Sequence, residues 1–190
     1  MNSTFVNART DIKSLIHAIN LLGDNLIGAE VGILQAESFC TMLQNCPSIK
    51  ELHGIDQWLP YNDLLKNPYD GTPAYSVDAR SIEIAKHIAY TNIKYSMNSD
   101  KAHIHEGDSR QIVKKFKDNY FDFVFIDCYL TYEQTLSDLE DWYRKVKSGG
   151  IFAGHDYDIE VVEHAVAEFR HKHNITTTLS IFDQTWAWKK

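Results

Sequence analysis

The chain has few features that would place its 190 residues outside the ordinary globular class. It has three cysteines, an odd number without a C-x-x-C pair, which excludes a disulfide framework and a zinc knuckle. No stretch approaches the roughly 18 apolar residues that a membrane span requires, and the N-terminus has no charged start followed by an apolar run. We therefore expect a single domain, residues 1–190, located in the reducing cytoplasm and without a membrane partner.

Positive charge is also scarce. The net charge of −7 and the isoelectric point near 5.7 argue against a nucleic-acid partner, because phosphate backbones bind to basic surfaces. Between Lys13 and Lys50 the chain has no Lys or Arg. A small-molecule partner is therefore expected, and the sequence leaves open whether the protein forms a homo-oligomer.

Segments with helical and strand periodicity alternate along the chain, separated by turn residues. Helices are predicted at about 10–22, 38–46, 79–95, 109–117, 131–147 and 159–173, and strands at about 26–32, 51–55, 102–105, 121–126, 151–154, 176–182 and 185–188. This alternation predicts an α/β fold with a parallel sheet, helices on both faces and a C-terminal antiparallel hairpin.

Two further segments are set apart by their composition. Residues 1–25 are expected to hold an N-terminal helix before the first strand. Residues 57–78 contain three of the four prolines and are expected to form a long loop. Long loops inside compact domains are usually functional, so this one is expected near the active site.

Polar and acidic residues follow several of the predicted strands. Asp56, Asp127 and the pair His155 and Asp156 end three of them, and Asp108 follows a fourth. Ligands of parallel sheets bind outside the carboxyl ends of the strands. These side chains therefore indicate the position of the binding site.

The turn after the first strand lacks the GxGxxG pattern that holds a pyrophosphate. Glu30 and Glu37 flank this turn, so a phosphate would be repelled there, whereas a sulfonium and an ammonium would be attracted. S-adenosylmethionine carries both of these cations and no phosphate. Asp56, at the end of the second strand, is suited to accept hydrogen bonds from ribose hydroxyls.

Five motifs, in this order and spacing, resemble those of class I methyltransferases. They are ExGxxxAxS at 30–38, GIDxW at 54–58, GDS at 107–109, FDFVFID at 121–127 and GGIFAGHDY at 149–157. They are most similar to those of a small bacterial and phage group whose fifth strand ends in GHDY. The resemblance covers about residues 26–190 and implies a Rossmann-like sheet of seven strands with one antiparallel strand.

The resemblance also implies S-adenosylmethionine as the cofactor and a set of residues around it. Glu30 and Gly32 would border its methionine part, and Gly32 would let the backbone approach closely. The same turn contains Ala36, which replaces the usual second glycine, and Ser38.

The other cofactor roles that the resemblance implies fall on later strands. Asp56 would hold the ribose and Trp58 would pack on the adenine. Asp108 and Ser109 would contact the adenine through hydrogen bonds. Asp127 would face the reacting end of the cofactor.

Methyl transfer is an in-line displacement, so the enzyme positions the acceptor and deprotonates it when it is a hydroxyl. Relatives commonly carry a histidine three residues after the position of Asp127, where this chain has Leu130. The remaining candidates for catalysis are Asp127, His155 and Asp156.

Metal-dependent relatives use acids at the positions of Asp127 and Asp156 to hold a divalent ion such as Mg²⁺, which lowers the pKa of the acceptor. His155 would favour a softer ion or act as the base itself. In the alternative, His155 and Asp156 form hydrogen bonds with the local backbone and shape the acceptor wall.

The function that the sequence favours is methylation, at oxygen, of a small molecule whose identity the sequence does not reveal. One alternative is a non-catalytic protein that binds S-adenosylmethionine, which Leu130 favours. Another is a metal-dependent, hydroxylase-like relative, which Asp127, His155 and Asp156 favour. A nucleotide-dependent oxidoreductase is disfavoured by the missing glycine pattern.

Overall fold

A computed structural model describes residues 9–62, 76–128 and 131–190. The helices are α1 (Lys13–Asn20), α2 (Glu37–Asn45), α3 (Ala79–Tyr95), α4 (Ser109–Ile112), α5 (Tyr132–Tyr143) and α6 (Glu160–Lys172). The strands are β1 (Leu26–Val31), β2 (Ile49–Asp56), β3 (Tyr61–Asn62), β4 (Ser76–Val77), β5 (Ala102–Glu106), β6 (Phe121–Ile126), β7 (Val146–Gly154), β8 (Ser180–Phe182) and β9 (Thr185–Lys189).

Seven of these strands form one sheet in the order β5-β2-β1-β6-β7-β9-β8. The neighbours from β5 to β7 are parallel, whereas β9 is antiparallel to both β7 and β8. In the centre, Glu30 of β1 lies opposite Gly54 of β2 and Phe125 of β6. The predicted α/β, Rossmann-like fold with a C-terminal antiparallel hairpin is confirmed.

Alternating side chains of β6 fill two hydrophobic layers, one on each face of the sheet. Phe123 and Phe125 pack with residues of α1, α2 and α3, and Val124 and Ile126 pack with residues of α5 and α6. This period of two follows from the pleat of a strand that is covered on both sides. Each fully buried phenylalanine contributes roughly 2–3 kcal/mol through the hydrophobic effect.

The boundary between α5 and β7 differs from the prediction. The sequence predicted a helix to residue 147 and a strand from residue 151, but α5 ends at Tyr143 and β7 begins at Val146. Val146 is buried and pairs with Phe121, so the strand runs through Gly149 and Gly150 with an irregular register. A Cβ at Gly150 would lie 2.5 Å from the carbonyl oxygen of Asp122, which explains the glycine.

The two segments set apart by composition are described in part. The N-terminal helix is α1. Of the long loop 57–78 the structure describes residues 57–62 and 76–78, in which β3 and β4 form an antiparallel pair. The other residues of this loop lie outside the described ranges. In the described parts, no helix has the length and apolar character needed to cross a bilayer.

Three histidines stack on the β2–β5 edge of the sheet. His53 pairs in register with His103, and its ring lies 4.9 Å from the ring of His103 and 5.2 Å from that of His105. The edges of Phe116 and Phe121 also pack on His53, which is 7% exposed. Burial, together with the neighbouring imidazoles, lowers the pKa of His53 to about 4.

This cluster predicts an acid-sensitive contribution to stability. The pKa of His53 is lower in the folded chain than its ordinary value of about 6.5. The contribution of His53 to the free energy of unfolding is therefore complete above about pH 6.5. It is lost as the pH falls towards 4. Between pH 8 and pH 4.5, His53 should therefore lose about 2 kcal/mol of its contribution to the free energy of unfolding.

The measurement is urea unfolding of the wild type and of His53→Phe at both pH values. The stability difference between them should shift by that amount in favour of the variant at low pH. His164→Gln, at an exposed helix position, should show no such shift. An unchanged difference for His53→Phe would mean that the buried imidazole does not resist protonation.

Candidate active site at the carboxyl ends of the sheet

Four backbone hydrogen bonds extend the sheet just beyond its regular strands. The donor and acceptor pairs are Gly107 N to Asp56 O, Gly32 N to Ile55 O and Asp127 N to Val31 O, each 2.8 Å, and His155 N to Ile126 O, 3.0 Å. Because these bonds link neighbouring strand ends, they hold the polar residues that follow the strands in one row.

A cleft of about 830 Å³ opens along this row. That volume lies within the range of roughly 300–1,000 Å³ for small-molecule sites. Sequence-predicted site residues in its lining are Gly32, Ser38, Asp56, Asp108, Ser109, Asp127 and Asp156. Glu30, Ala36, Trp58 and His155 do not line it. The predicted residues are thus together at one edge, but four of them lie behind the cleft wall.

Gly32 allows the closest backbone approach in the site. Its φ is +91°, and a Cβ there would lie far inside van der Waals contact of the carbonyl oxygen of Asp127. Only glycine avoids both the strain and the collision. Its absent side chain therefore lets the turn after β1 touch the end of β6.

Glu30 lies beneath this turn and is fully buried. One of its carboxylate oxygens accepts a hydrogen bond from the Ser38 hydroxyl, and the other has no partner among the described residues. Burial raises the pKa of Glu30 well above its usual range. Glu30 therefore carries less negative charge than the sequence argument assumed.

Asp56 connects the ends of β1 and β2. Its Oδ2 accepts from the backbone N–H of Leu34 at 2.8 Å, and its Oδ1 accepts from that of Trp58 at 2.7 Å. The indole N–H of Trp58 donates back to the Leu34 carbonyl at 2.9 Å, and its ring is 6% exposed. Burial raises the pKa of Asp56, while these backbone donors oppose the shift.

The far end of the cleft is built around an acid that the sequence reasoning missed. Asp138, on α5, is buried and accepts from Ser109 Oγ at 2.7 Å, from Gln134 Nε2 at 2.9 Å and from Cys128 Sγ at 3.1 Å. Its interior position on a helix belongs to no motif, so no sequence signal related it to the strand ends. Beside it, Asp108 forms an ion pair with Arg110 at 2.5 Å.

The other end holds a second residue that the sequence reasoning missed, Arg9. Its Nη1 lies 2.7 Å from Asp127 Oδ2, and its Nη2 lies 2.7 Å from Asp11 Oδ2 and 2.9 Å from His155 Nε2. Arg9 precedes the first motif, so no spacing related it to the strand ends.

His155 lies between carboxylates. Its Nδ1 is 2.9 Å from Asp156 Oδ1, and its Nε2 is 2.9 Å from Asp11 Oδ2. Burial lowers its pKa, but the Asp156 hydrogen bond and the charge of Asp127 outweigh that effect, so the pKa is raised overall. Burial also raises the pKa of Asp127, against the charges of Arg9 and His155.

Ligand atoms of Asp127, His155 and Asp156 lie within 4.8 Å of one another, as a metal-binding group would. The departure at Leu130, together with Tyr129, lies outside the described residues.

The Gly32 contact predicts a specific loss of stability. Gly32→Ala should lower the free energy of unfolding by at least about 2 kcal/mol more than Gly149→Ala does. Gly149 is the matched control because it has a similar φ of +80° but open space around its Cβ position. Equal losses in thermal or urea unfolding would show that the Asp127 carbonyl moves away easily.

Comparison with known proteins agrees with this geometry. The family model described as methyltransferase domain matches residues 29–157, which is well over half of the chain. No curated protein sequence matches the chain.

Solved structures with the same fold include the O-methyltransferase NovP, at 17% identity and a TM-score of 0.67, covering 93% of this chain and 79% of that one. An O-methyltransferase from Bacillus cereus in complex with SAH has 16% identity and a TM-score of 0.64, with coverages of 100% and 84%. Spermidine synthase from Thermotoga maritima has 19% identity and a TM-score of 0.56, with coverages of 93% and 56%. The chain therefore belongs to the methyltransferase domain family, and it shares its fold with these solved O-methyltransferases.

Proposed function

We propose that this methyltransferase transfers its methyl group to a hydroxyl oxygen of a small-molecule acceptor. The observation that supports this most strongly is the cleft, which is lined both by the residues expected to hold the cofactor and by Asp127, the candidate base. The O-methyltransferases NovP and that of Bacillus cereus share the fold and agree with transfer to oxygen.

The cofactor end comprises the turn at Gly32 together with Asp56, Asp108 and Ser109. Each Asp56 oxygen already accepts one backbone N–H, and its remaining lone pairs are suited to the ribose hydroxyls. Asp108 and Ser109 would contact the adenine. Arg110 also lines this end, but its ion pair with Asp108 offsets its positive charge, so it would not repel the sulfonium of the cofactor.

Three predicted cofactor residues would act indirectly or at the turn. Glu30 and Trp58 lie behind the cleft wall and would fix the turn through Ser38 and through the Leu34 carbonyl. Ala36, with a left-handed φ of 61°, begins α2 and would shape the same turn.

At the acceptor end we assign Asp127 as the proton acceptor. The cofactor, held by Asp56, Asp108 and Ser109, would supply an electrophilic methyl carbon for displacement from sulfur by the acceptor oxygen. Asp127 takes the hydroxyl proton, and its raised pKa makes it a stronger base than an ordinary carboxylate. Asp156 lines the same end and would orient the acceptor.

A divalent ion does not fit the contacts that these residues make. His155 Nδ1 carries a proton when it donates to Asp156, so its lone pair is not available to a metal. Asp127 Oδ2 accepts from Arg9.

Calorimetry tests the cofactor assignment. The wild type should bind S-adenosylhomocysteine with a dissociation constant on the order of micromolar and give no heat with NADH, because the turn after β1 lacks the glycine pattern that holds a pyrophosphate. Binding of NADH alone would contradict the proposal. Mass spectrometry with phenol, sugar and peptide acceptors then detects the product, and binding without any methylated product would favour the non-catalytic alternative.

The role of Asp127 predicts a separation of turnover from binding. Asp127→Asn keeps the shape but removes the base, so kcat should fall by about 100-fold or more while the affinity for S-adenosylhomocysteine stays within about threefold. Asp158→Asn is the control, because Asp158 is exposed and, among the described residues, accepts a hydrogen bond only from Gln184. Full turnover in Asp127→Asn would place the base elsewhere.

A further inference from the structure

The N-terminal segment, residues 9–12, crosses the acceptor end and is attached on two sides. The backbone N–H of Arg9 donates to Thr41 Oγ1 of α2 at 3.2 Å. Thr185 Oγ1 of β9 donates to the carbonyl oxygen of Asp11 at 3.0 Å. These contacts hold the Arg9 side chain over the ends of β6 and β7.

The guanidinium of Arg9 contacts three groups at once. Its Nε and Nη2 donate to Asp11, its Nη1 donates to Asp127, and its Nη2 meets His155 Nε2. The side chain is only 23% exposed. A planar guanidinium with five N–H donors suits such a bridge, whereas an ammonium is a point charge.

The negative charges around the Arg9 side chain explain why a cation is favourable at this position. Asp11, Asp127 and Asp156 all lie within contact distance of Arg9 or His155, and such a set of partly buried carboxylates is unfavourable without compensation. Arg9 compensates Asp11 and Asp127 directly. A divalent ion would supply the same compensation, but it would have to displace the Arg9 contact with Asp127.

We propose that Arg9 is a built-in cation of the acceptor end, which neutralises Asp127 and excludes a divalent metal ion from the Asp127, His155 and Asp156 group. The proposal extends the proposed function, since it makes the same site independent of metal. It assigns Arg9 as a positioning residue that holds Asp127 Oδ2 and leaves Oδ1 to face the acceptor.

Mn²⁺ titration by calorimetry tests this without cofactor or acceptor, so its result does not depend on whether methyl transfer occurs. Arg9→Met removes the charge and keeps the length, and it should bind Mn²⁺ at least about tenfold more tightly than the wild type. Arg9→Lys retains a positive charge and should exclude Mn²⁺ as the wild type does. Arg144→Met changes an exposed arginine paired with Asp141 and should also behave as the wild type.

The double variant Arg9→Met with Asp127→Asn locates the gained ion. It should lose the Mn²⁺ binding that Arg9→Met gains, and near-ultraviolet circular dichroism checks that both variants keep their packing. The proposal is overturned if the wild type binds Mn²⁺ as tightly as Arg9→Met does. It is equally overturned if folded Arg9→Met gains no binding, or if the double variant retains it.

Discussion

The backbone hydrogen bonds just beyond the strand ends are the constraint on which the site depends. They connect β5 to β2, β2 to β1, β1 to β6 and β6 to β7, so each strand end is fixed relative to the next. The closest contact in this row, Gly32 against the Asp127 carbonyl, brings the first turn to the reacting end. Because these bonds fix the backbone, they also fix the positions of the side chains at the strand ends, which local interactions alone would not do.

At these strand ends, buried acidic side chains act in two different ways. Glu30 and Asp56 face hydroxyl and N–H donors of the turn and hold it in shape. Asp127 faces Arg9, whose charge favours its ionised form while burial disfavours it. The same edge of the sheet therefore holds a rigid turn at Asp56 and a carboxylate at Asp127 whose charge Arg9 compensates.

Periodicity and strand-end acids were enough to predict the sheet and the edge at which the site lies, because both follow from local rules. The start of β7 could not be predicted, since Val146 joins the sheet by burial against Phe121 despite the glycines that follow. Arg9 and Asp138 could not be predicted either. One reaches the site from an N-terminal segment and the other from a helix interior, so only the tertiary fold relates them to the motifs.

Fold alone does not choose the chemistry, since spermidine synthase shares this architecture with O-methyltransferases. The choice must come from the groups that surround the acceptor. In this chain those groups are the carboxylate of Asp127, a second carboxylate hydrogen-bonded to His155, and the guanidinium of Arg9, which pairs with the first. A carboxylate with a raised pKa favours an acceptor whose proton must leave as the new bond forms, which a hydroxyl requires. The proposed transfer to oxygen therefore rests on these groups and not on the shared fold.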